Sequence, residues 1–403
     1  MAERKAIRLG SVVRTNVSTY SEKEGWAFVN YLDTGNITQD TISEIQRINV
    51  GTDKLPSRAR RKVQIGNIIY STVRPNQLHY GFIKSQPDNF LVSTGFAVID
   101  VNEKEAVPEY IYYFLTHRDV TERLQAIAEQ STSAYPSIKP SDIEDLTIDL
   151  PPIEEQRKIV GLLKMLDDKI KQNTELNNNL LQQASTIFKH WFTDNPNLDT
   201  MEQVPLAELC SVVTKGTTPT TLGKPFASEG INFIKAESIL DNHAIDKDKF
   251  AFIDSETNDL LRRSIINEGD IVFTIAGTLG RFALIDDSIL PANTNQAVAI
   301  IRANQSKVTP EYLYSFFLGN WHIDYYTKRI QQAVQANLSL GTIKSLPIPT
   351  LSEKAMADYL GIISPIIQMT KANELEITRL RTMRDALLPQ LMSGELDVSS
   401  LDL

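Results

Sequence analysis

The sequence predicts an α+β protein with two tandem mixed α/β domains, each followed by a long helix that pairs with the other as an antiparallel coiled coil. Three observations predict this internal pseudo-twofold duplication. The second half of the 403-residue chain repeats the first, short alternating apolar runs fill each copy, and each copy ends in coiled-coil spacing. The predicted segments are a first domain over 1–150, a first spacer helix over 151–195, a second domain over 196–350, and a second spacer helix with a C-terminal tail over 351–403.

The duplication rests on segments that recur in the same order, 200 to 203 residues apart. Val107–Tyr112 returns as Thr309–Tyr314, and Gly66–Thr72 corresponds to Gly269–Ile275. A period near 200 is too long for a solenoid, so the repeated unit is a domain plus a helix. A twofold-like relation would make the helices antiparallel and hold the domains apart, and a monomeric side-by-side packing is the alternative.

Within each copy, alternating apolar residues predict strands and a later amphipathic stretch predicts one helix. The clearest predicted strands are Val63 to Val73, Phe96 to Val101, Ile265 to Ile275 and Ala297 to Ile301. The predicted helices are Glu109 to Gln130 in the first copy and Glu311 to Gln332 in the second.

The first long helix is predicted to start after Pro151 and Pro152, with two glutamates in its first turn, and to end near Asp194–Asn197. Its seam is Leu163, Leu166, Ile170, Asn173, Asn177, Leu180, Ala184, Ile187 and Trp191; the second seam is Ile363, Ile366, Thr370, Asn373, Ile377, Leu380, Arg384, Leu387 and Leu391. Both seams carry an Asn at the same position, which predicts either a buried register contact or a hydrated edge.

Two further expectations concern these helices. Pro365 should kink the second helix or delay its start, because proline disrupts a helix interior. Trp191 lies on the seam and is assigned to the coiled-coil core, whereas Phe188 and Phe192 fit either that core or a dock for a partner helix.

Composition excludes several classes of protein. The single cysteine excludes an internal disulfide, and neither an N-terminal signal peptide nor an apolar membrane span is recognisable, so a soluble, cytoplasmic protein is expected.

The five histidines lack metal-ligand spacing, and Gly216 to Lys224 lacks the spacing and hydroxyl of a P-loop. The acid-x-Lys pattern of Asp246–Lys249 has no evident catalytic partner, and Gly277–Gly280 fits a strand turn as well as a backbone clamp. A binding protein is favoured over an enzyme.

Charge gives a local signal on an acidic chain. The net charge is -9, yet seven basic residues and no acidic ones lie between Lys54 and Lys84. Such a run is either a solvated loop or a surface that contacts phosphates, since the local field decides where a polyanion docks.

Several motifs resemble the specificity subunit of type I restriction–modification enzymes over essentially the whole chain. The two most telling are LPPIEEQRKIV at 150–160 and LLPQLMSGE at 387–395; similar ones are Gly216–Thr220, Arg74–Asn76 and Tyr135–Ile138. The second copy departs from the first: Ala276–Thr278 replaces Arg74–Asn76, and Leu351–Lys354 replaces Pro152–Glu155. The two domains should therefore read different sequences.

The resemblance implies a non-catalytic subunit of an adenine-N6 DNA methyltransferase and restriction complex. Each domain would read one half of a bipartite double-stranded target, and the helices would set the gap and dock two methyltransferase subunits. This chain would bind no cofactor. S-adenosylmethionine would belong to the methyltransferase subunits, and ATP with magnesium to as many as two restriction subunits. A membrane partner is not expected.

The DNA-contact candidates fall into three groups. Expected phosphate contacts are Lys54, Arg58, Arg60, Arg61 and Lys62. Expected base contacts of the first domain are Arg74, Asn76, Gln77, His79 and Tyr80. Candidates in the second domain are Lys215, Thr217, Thr218, Lys224, Lys235 and Arg281. Core packing is the alternative for Tyr80 and turn capping for Asn76. Two competing hypotheses are a coiled-coil scaffold without DNA readout and a self-contained nuclease or methylase, which the missing motifs disfavour.

Overall fold

The computed structural model describes residues 4–131, 135–196, 201–330 and 337–398. It divides into two compact units, one made of Met1–Asp168 with Leu380–Leu403 and the other of Lys169–Arg379. Each long helix therefore has one end in each unit. The expected helix ends at Asn197 and Gln332, and the tail after residue 398, lie outside the described residues.

The first unit contains one copy of the repeated arrangement of strands and short helices, which precedes the first long helix. Its strands are β1 Lys5–Arg8, β2 Val13–Thr15, β3 Phe28–Leu32, β4 Ile37–Thr38, β5 Thr41–Ile42, β6 Gln46–Asn49, β7 Ala59–Lys62, β8 Ile68–Ser71, β9 Tyr80–Phe82, β10 Phe90–Ser93, β11 Phe96–Val101 and β12 Thr147–Leu150; its short helices are α1 Pro108–Thr116, α2 Arg118–Glu129 and α3 Pro140–Glu144. One antiparallel sheet has the order β2-β11-β8-β9, and a mixed sheet has the order β6-β3-β10-β7 with β3 and β10 parallel. β1 pairs with β12, and β4 with β5.

Strand β11 shows why these residues form a buried strand. Ala97 and Ile99 belong to the apolar cluster that packs against the helices, whereas Phe96 and Val98 belong to a second cluster beneath the mixed sheet. Side chains alternate between the faces of a strand, so a continuous apolar run can be buried on both sides. In the second unit, Val298 to Ala303 is divided between two clusters in the same way.

The second unit repeats this topology. Its strands are β13 Gln203–Pro205, β14 Cys210–Lys215, β15 Ile231–Ile234, β16 Ala251–Ile253, β17 Ile271–Thr274, β18 Phe282–Leu284, β19 Ala292–Thr294, β20 Val298–Ala303 and β21 Pro347–Pro349; its short helices are α5 Leu206–Leu209, α6 Ser255–Leu260, α7 Pro310–Leu318, α8 Trp321–Ile330 and α9 Leu340–Lys344. The order β14-β20-β17-β18 matches the first antiparallel sheet, and β15 pairs in parallel with β19 as β3 does with β10. The predicted duplication and mixed α/β class are confirmed.

The expectation of one helix after the later strands is wrong in both copies, because two helices form. His117 is extended and its ring accepts a hydrogen bond from the Asp119 N–H, which starts α2. In the second copy Asn320 adopts a left-handed φ of 59° after Gly319. A Cβ on Gly319 would lie 2.0 Å from the ring of Phe188, so this glycine makes room for the long helix.

The long helices are α4 Ile153–Phe188, followed by a π turn over Lys189–Thr193, and α10 Glu353–Ser393. The expected late start at Pro365 is wrong, since α10 begins twelve residues earlier and continues through it. The two helices are antiparallel within each unit. In the first, Arg384 donates to Asp167 at 2.9 Å; in the second, Asn173 donates to Glu376 at 2.8 Å.

The polar positions of the seam are buried contacts. Asn177 donates to the Thr370 carbonyl at 3.1 Å and accepts from Asn373 at 2.8 Å. Asn173 is only 3% exposed, so a hydrated edge is wrong for this residue, while Asn373 is half-buried. These bonds link specific turns of α4 and α10, as a register contact requires.

The three aromatic residues at the end of the first long helix have different environments. Phe188 and Phe192 are completely buried in the second unit, with ring centroids 5.0 and 4.8 Å from Phe316. Trp191 is half-buried, 5.4 Å from the ring of Tyr359. Both phenylalanines therefore belong to the core. Among the described helices, none combines the length and apolar character needed to cross a bilayer.

Candidate nucleic-acid interface

Four loops of the first unit meet around Thr34, Arg58, Thr72 and Gly95. The Thr94 N–H donates to the Arg58 carbonyl at 2.8 Å, and the Thr72 N–H donates to the Gly95 carbonyl at 2.8 Å. Gly95 also lies against Thr34. The edge of the mixed sheet and the end of β8 are thus joined, and the exposed Arg58 has no carboxylate partner among the described residues.

Arg74 is an exposed cation just beyond the end of β8. Its guanidinium lies 5.0 Å from the ring centroid of Tyr135, a cation–π contact, and its N–H donates to the Pro136 carbonyl at 2.9 Å. Its φ of 48° is left-handed and turns the chain sharply out of the strand. Asn76 and Gln77 follow it in an exposed 3-10 turn, and the backbone N–H of Asn76 donates to the Gln125 side chain at 3.2 Å.

The basic strand β7 is largely neutralised within the fold. Arg60 pairs with Glu22 at 2.9 Å, and Lys62 pairs with Glu24 while its ammonium lies 5.2 Å from the ring centroid of Trp26. Arg61 is half-buried, and this burial lowers the pKa of its guanidinium. Lys54 is exposed and has no carboxylate partner among the described residues. Because exposed ion pairs contribute only about 0–1 kcal/mol, phosphates could displace these carboxylates.

Two of the predicted base contacts are engaged by other parts of the fold. Tyr80 is 6% exposed, with its ring stacked 5.7 Å from Tyr70 and edge-on to Tyr112. Its assignment as a base contact is therefore corrected to core packing, because a buried ring cannot reach a groove. The Nδ1 atom of His79 lies 2.6 Å from the Ile37 carbonyl, so this ring ties two loops together.

Three predicted residues of the second domain form one loop. A Cβ on Gly216 would lie 1.8 Å from the Thr294 carbonyl oxygen, so the loop backbone packs directly on β19. Thr218 hydrogen bonds to the exposed Gln296 amide, and Thr217 is half-buried beside it. Lys215 is exposed, with no carboxylate partner among the described residues. This close approach fixes the position of the loop.

The other three predicted cations of the second domain are paired. Lys224 contacts Glu256 at 2.7 Å and Lys235 contacts Glu237 at 2.7 Å. Arg281 donates to both carboxylate oxygens of Asp241 at 2.6 and 2.7 Å. They lie in separate turns and do not share a counter-ion.

Arg263 is a candidate that the sequence reading missed. It lies in an exposed turn next to Arg262, and its guanidinium donates to the Lys215 carbonyl at 3.5 Å and to Thr217 at 3.4 Å. The signal that could have found it is the repeat itself, since Arg60 lies 203 residues earlier. We call Lys215, Thr217, Thr218, Arg263 and Gln296 the Lys215–Arg263 surface.

Titratable groups inside the domains are surrounded by apolar side chains. Burial lowers the pKa of His243 and of His322 to about 4, and the ring of His243 stacks on Phe282 at 4.0 Å. Burial raises the pKa of the Cys210 thiol to about 12. Within the described ranges, no cluster of three or more His, Cys, Asp or Glu side chains is arranged to hold a metal ion.

The chain matches one protein family twice. The family described as the type I restriction modification DNA specificity domain matches residues 7–182 and 199–379. Together these two matches cover most of the chain and follow the duplication seen in the fold.

Individual relatives align over nearly their full length. The type I restriction enzyme HindI specificity subunit of Haemophilus influenzae is 26% identical, with 98% of this chain and 100% of that protein covered. The MjaIX specificity subunit of Methanocaldococcus jannaschii is 24% identical, covering 98% and 93%. A solved S subunit of a type I restriction-modification system from M. genitalium superposes with a TM-score of 0.53 at 14% identity, over 99% of this chain and 97% of that chain, which shows a shared fold.

Proposed function

The chain belongs to the type I restriction–modification DNA specificity family and is a DNA target-recognition subunit, and we propose that each of its two domains reads one half of a bipartite duplex target. The observation that supports this division is one scaffold carrying two different surfaces. The Thr72 N–H donates to the Gly95 carbonyl in the first domain, and the Ile275 N–H donates to the Ala297 carbonyl at the equivalent place in the second.

The residues that follow these equivalent bonds differ in chemistry. After Thr72 the first domain presents Arg74, Asn76 and Gln77, which carry the guanidinium and amide groups that pair with guanine and adenine. After Ile275 the second domain presents a turn with Gly277 and Gly280 at φ of 74° and 87°. The two half-sites should therefore differ in sequence, and the whole target should be asymmetric.

The helix pair has a different task in this proposal. The buried contacts of Asn173 and Asn177 fix the register of α4 against α10, and a fixed register gives a fixed gap between half-sites. The same helices leave large apolar side chains in solvent, such as Leu176, Ile362 and Met369 of the second unit. Two methyltransferase subunits would dock on the helices.

Chemistry is assigned to the partners. The methyltransferase subunits would bind S-adenosylmethionine and methylate adenine after flipping it into their own pocket. As many as two restriction subunits would add ATP and magnesium. This chain would position the duplex through phosphate contacts and select it through base contacts.

Binding of the assembled complex distinguishes this proposal from a scaffold without DNA readout. We expect the complex of this chain with its methyltransferase subunits to select a two-part duplex, with affinity that falls steeply as salt rises. Scrambling either half of the selected duplex should weaken binding. Equal, sequence-independent binding by the methyltransferase subunits with and without this chain would support the scaffold. An assay of the chain alone with magnesium or S-adenosylmethionine tests the remaining alternative, a self-contained nuclease or methylase.

A further inference from the structure

Arg263 has the place in the second copy of the sequence that Arg60 has in the first, with Arg60 in strand β7 and Arg263 in a 3-10 turn. The equivalence follows from a bond that both domains repeat at an offset of 203. The Gln64 N–H donates to the Asn67 side chain at 2.8 Å, and the Asn267 N–H donates to the Asp270 side chain at 2.8 Å. Counting back four residues from Gln64 and from Asn267 reaches Arg60 and Arg263.

The two arginines differ in what neutralises them. Arg60 is paired with the carboxylate of Glu22. Arg263 instead donates weakly to a carbonyl and a hydroxyl of the Lys215–Arg263 surface, and no carboxylate pairs with it, with Arg262 or with Lys215 among the described residues. Three exposed positive charges on neighbouring backbone segments are thus without a paired carboxylate among the described residues. Three other cations of the same unit, Lys224, Lys235 and Arg281, are paired. This is the arrangement expected for a surface whose counter-ion is a separate polyanion.

The backbone that carries Arg263 is held firmly. The next residue, Ser264, is buried and donates to the buried Asn293 at 2.8 Å, and Asn293 in turn donates to the Leu261 carbonyl at 3.3 Å. On the other side, Gly216 packs on β19 and leaves no room for a side chain. A side chain on such fixed supports presents its polar end in a defined place, which base recognition needs.

We propose that Arg263 is a specificity-determining contact of the second domain and that it donates to the O6 and N7 acceptors of a guanine in the major groove. The inference rests on the proposed function. A planar guanidinium fork matches these two acceptors, whereas its present bonds of 3.4 and 3.5 Å are long and easily exchanged for them. The exposed Gln296 of the same surface carries a neutral amide, which accepts a hydrogen bond from Thr218.

The test uses the complex of the full chain with its methyltransferase subunits and a library of duplexes randomised in both half-sites. Arg263→Ala should lose about 5- to 150-fold preference for one G·C pair in one half-site and leave the other half-site unchanged. Arg263→Lys should keep the charge but retain only part of the preference, because an ammonium lacks the planar fork. Replacing that guanine with 7-deazaguanine should weaken the native complex and have little effect on Arg263→Ala.

Arg262→Ala is the matched control, since it removes a neighbouring exposed charge. It should lower affinity for all duplexes by a similar factor. If Arg263→Ala instead behaves like Arg262→Ala, lowering affinity for all duplexes alike with the base preference unchanged, Arg263 is a phosphate contact and the inference is wrong. A native complex that selects no two-part sequence would instead contradict the proposed function, so the two failures are distinguishable.

Discussion

Asp270 is completely buried and accepts two hydrogen bonds of 2.7 Å from the guanidinium of Arg302. The equivalent residues of the first domain are Asn67 and Asp100, where the amide donates to the carboxylate at 3.0 Å. Both domains therefore have a polar contact at the same place, between β11 and the start of β8 in the first and between β20 and the start of β17 in the second. The first domain uses an amide and a carboxylate there, and the second uses a carboxylate and a guanidinium. Removing the partner of a buried carboxylate destabilises the fold more than removing the partner of a buried amide, because it leaves an uncompensated charge.

The first prediction follows from this pair. Arg302→Ala should lower the free energy of unfolding by about 3–5 kcal/mol, because it leaves the Asp270 carboxylate buried without its counter-ion. The double variant that combines Asp270→Asn with Arg302→Asp should be much more stable than Arg302→Ala, because it recreates the arrangement of Asn67 and Asp100. Denaturant unfolding measures both, and Arg281→Ala, which breaks an exposed pair, should cost less than about 1 kcal/mol. Equal losses for Arg302→Ala and Arg281→Ala would contradict the prediction.

The second prediction concerns the polar layer of the helix pair. Asn177→Ala should destabilise the chain by about 1–3 kcal/mol, since the Asn373 amide loses its acceptor in a partly buried seam. Asn177→Leu combined with Asn373→Leu should raise the melting temperature but relax the register. In the assembled complex, the double variant should then accept duplexes with more than one gap length. A double variant that melts as low as Asn177→Ala, with an unchanged gap, would refute the role of this layer.

The third prediction is a pH dependence of the second unit. Burial lowers the pKa of His243 and His322 to about 4, and the Nδ1 atom of each ring is buried without a hydrogen-bond partner. Between about pH 6.5 and pH 4 the unfolded chain therefore binds more protons than the folded chain. Stability should fall as the pH is lowered through this window, by at most about 3 kcal/mol for each ring.

A single substitution isolates this effect. His322→Phe keeps an aromatic ring among Phe273 and Phe317, whose centroids lie 5.6 and 5.2 Å from that of His322. The variant should be at least as stable as the native chain at pH 7 and lose less stability at pH 5. Denaturation curves at pH 7 and pH 5 give the loss of unfolding free energy for each protein. The carboxylates that both proteins share contribute equally, so the difference between the two losses reports the imidazole. An identical loss in both proteins would show that this imidazole is not responsible.

The fourth prediction separates base reading from charge in the first domain. Arg74→Ala should cost about 1–3 kcal/mol for one half-site if its contact is bidentate, with the other half-site unaffected. Lys54→Ala should weaken all duplexes alike and reduce the salt dependence by about one unit of slope. Both side chains are exposed, so folding should be preserved. Unchanged binding and unchanged half-site preference in Arg74→Ala would remove it from the interface.

Much of the fold could be predicted from the sequence because it depends on local spacing and on repetition. The residues Phe96 to Val101 form the expected strand, and Ile153 starts the expected helix after two prolines. The break at His117 could not be predicted from periodicity, because the apolar pattern continues across it. Phe188 was ambiguous for a related reason: its burial depends on Gly319, more than a hundred residues away.

The candidate site was less predictable, because exposure and pairing arise from tertiary structure. A basic residue looks the same in sequence whether it is neutralised, as Arg281 is by Asp241, or unpaired, as Lys215 is among the described residues. Tyr80 follows a polar turn, but the rings of Tyr70 in β8 and Tyr112 in α1 pack against it. Arg263 could have been found only by aligning the two copies residue by residue.

The adenine methylome of the native host, compared with and without this gene, tests the central claim most directly. Deleting the gene should abolish methylation at one gapped, asymmetric two-part motif, and restoring it should return the same motif. Restoring it with Arg74→Ala should relax one half of that motif only. A methylome that is unchanged by the deletion, in cells where the methyltransferase subunits are active, would contradict the claim that this chain selects the target.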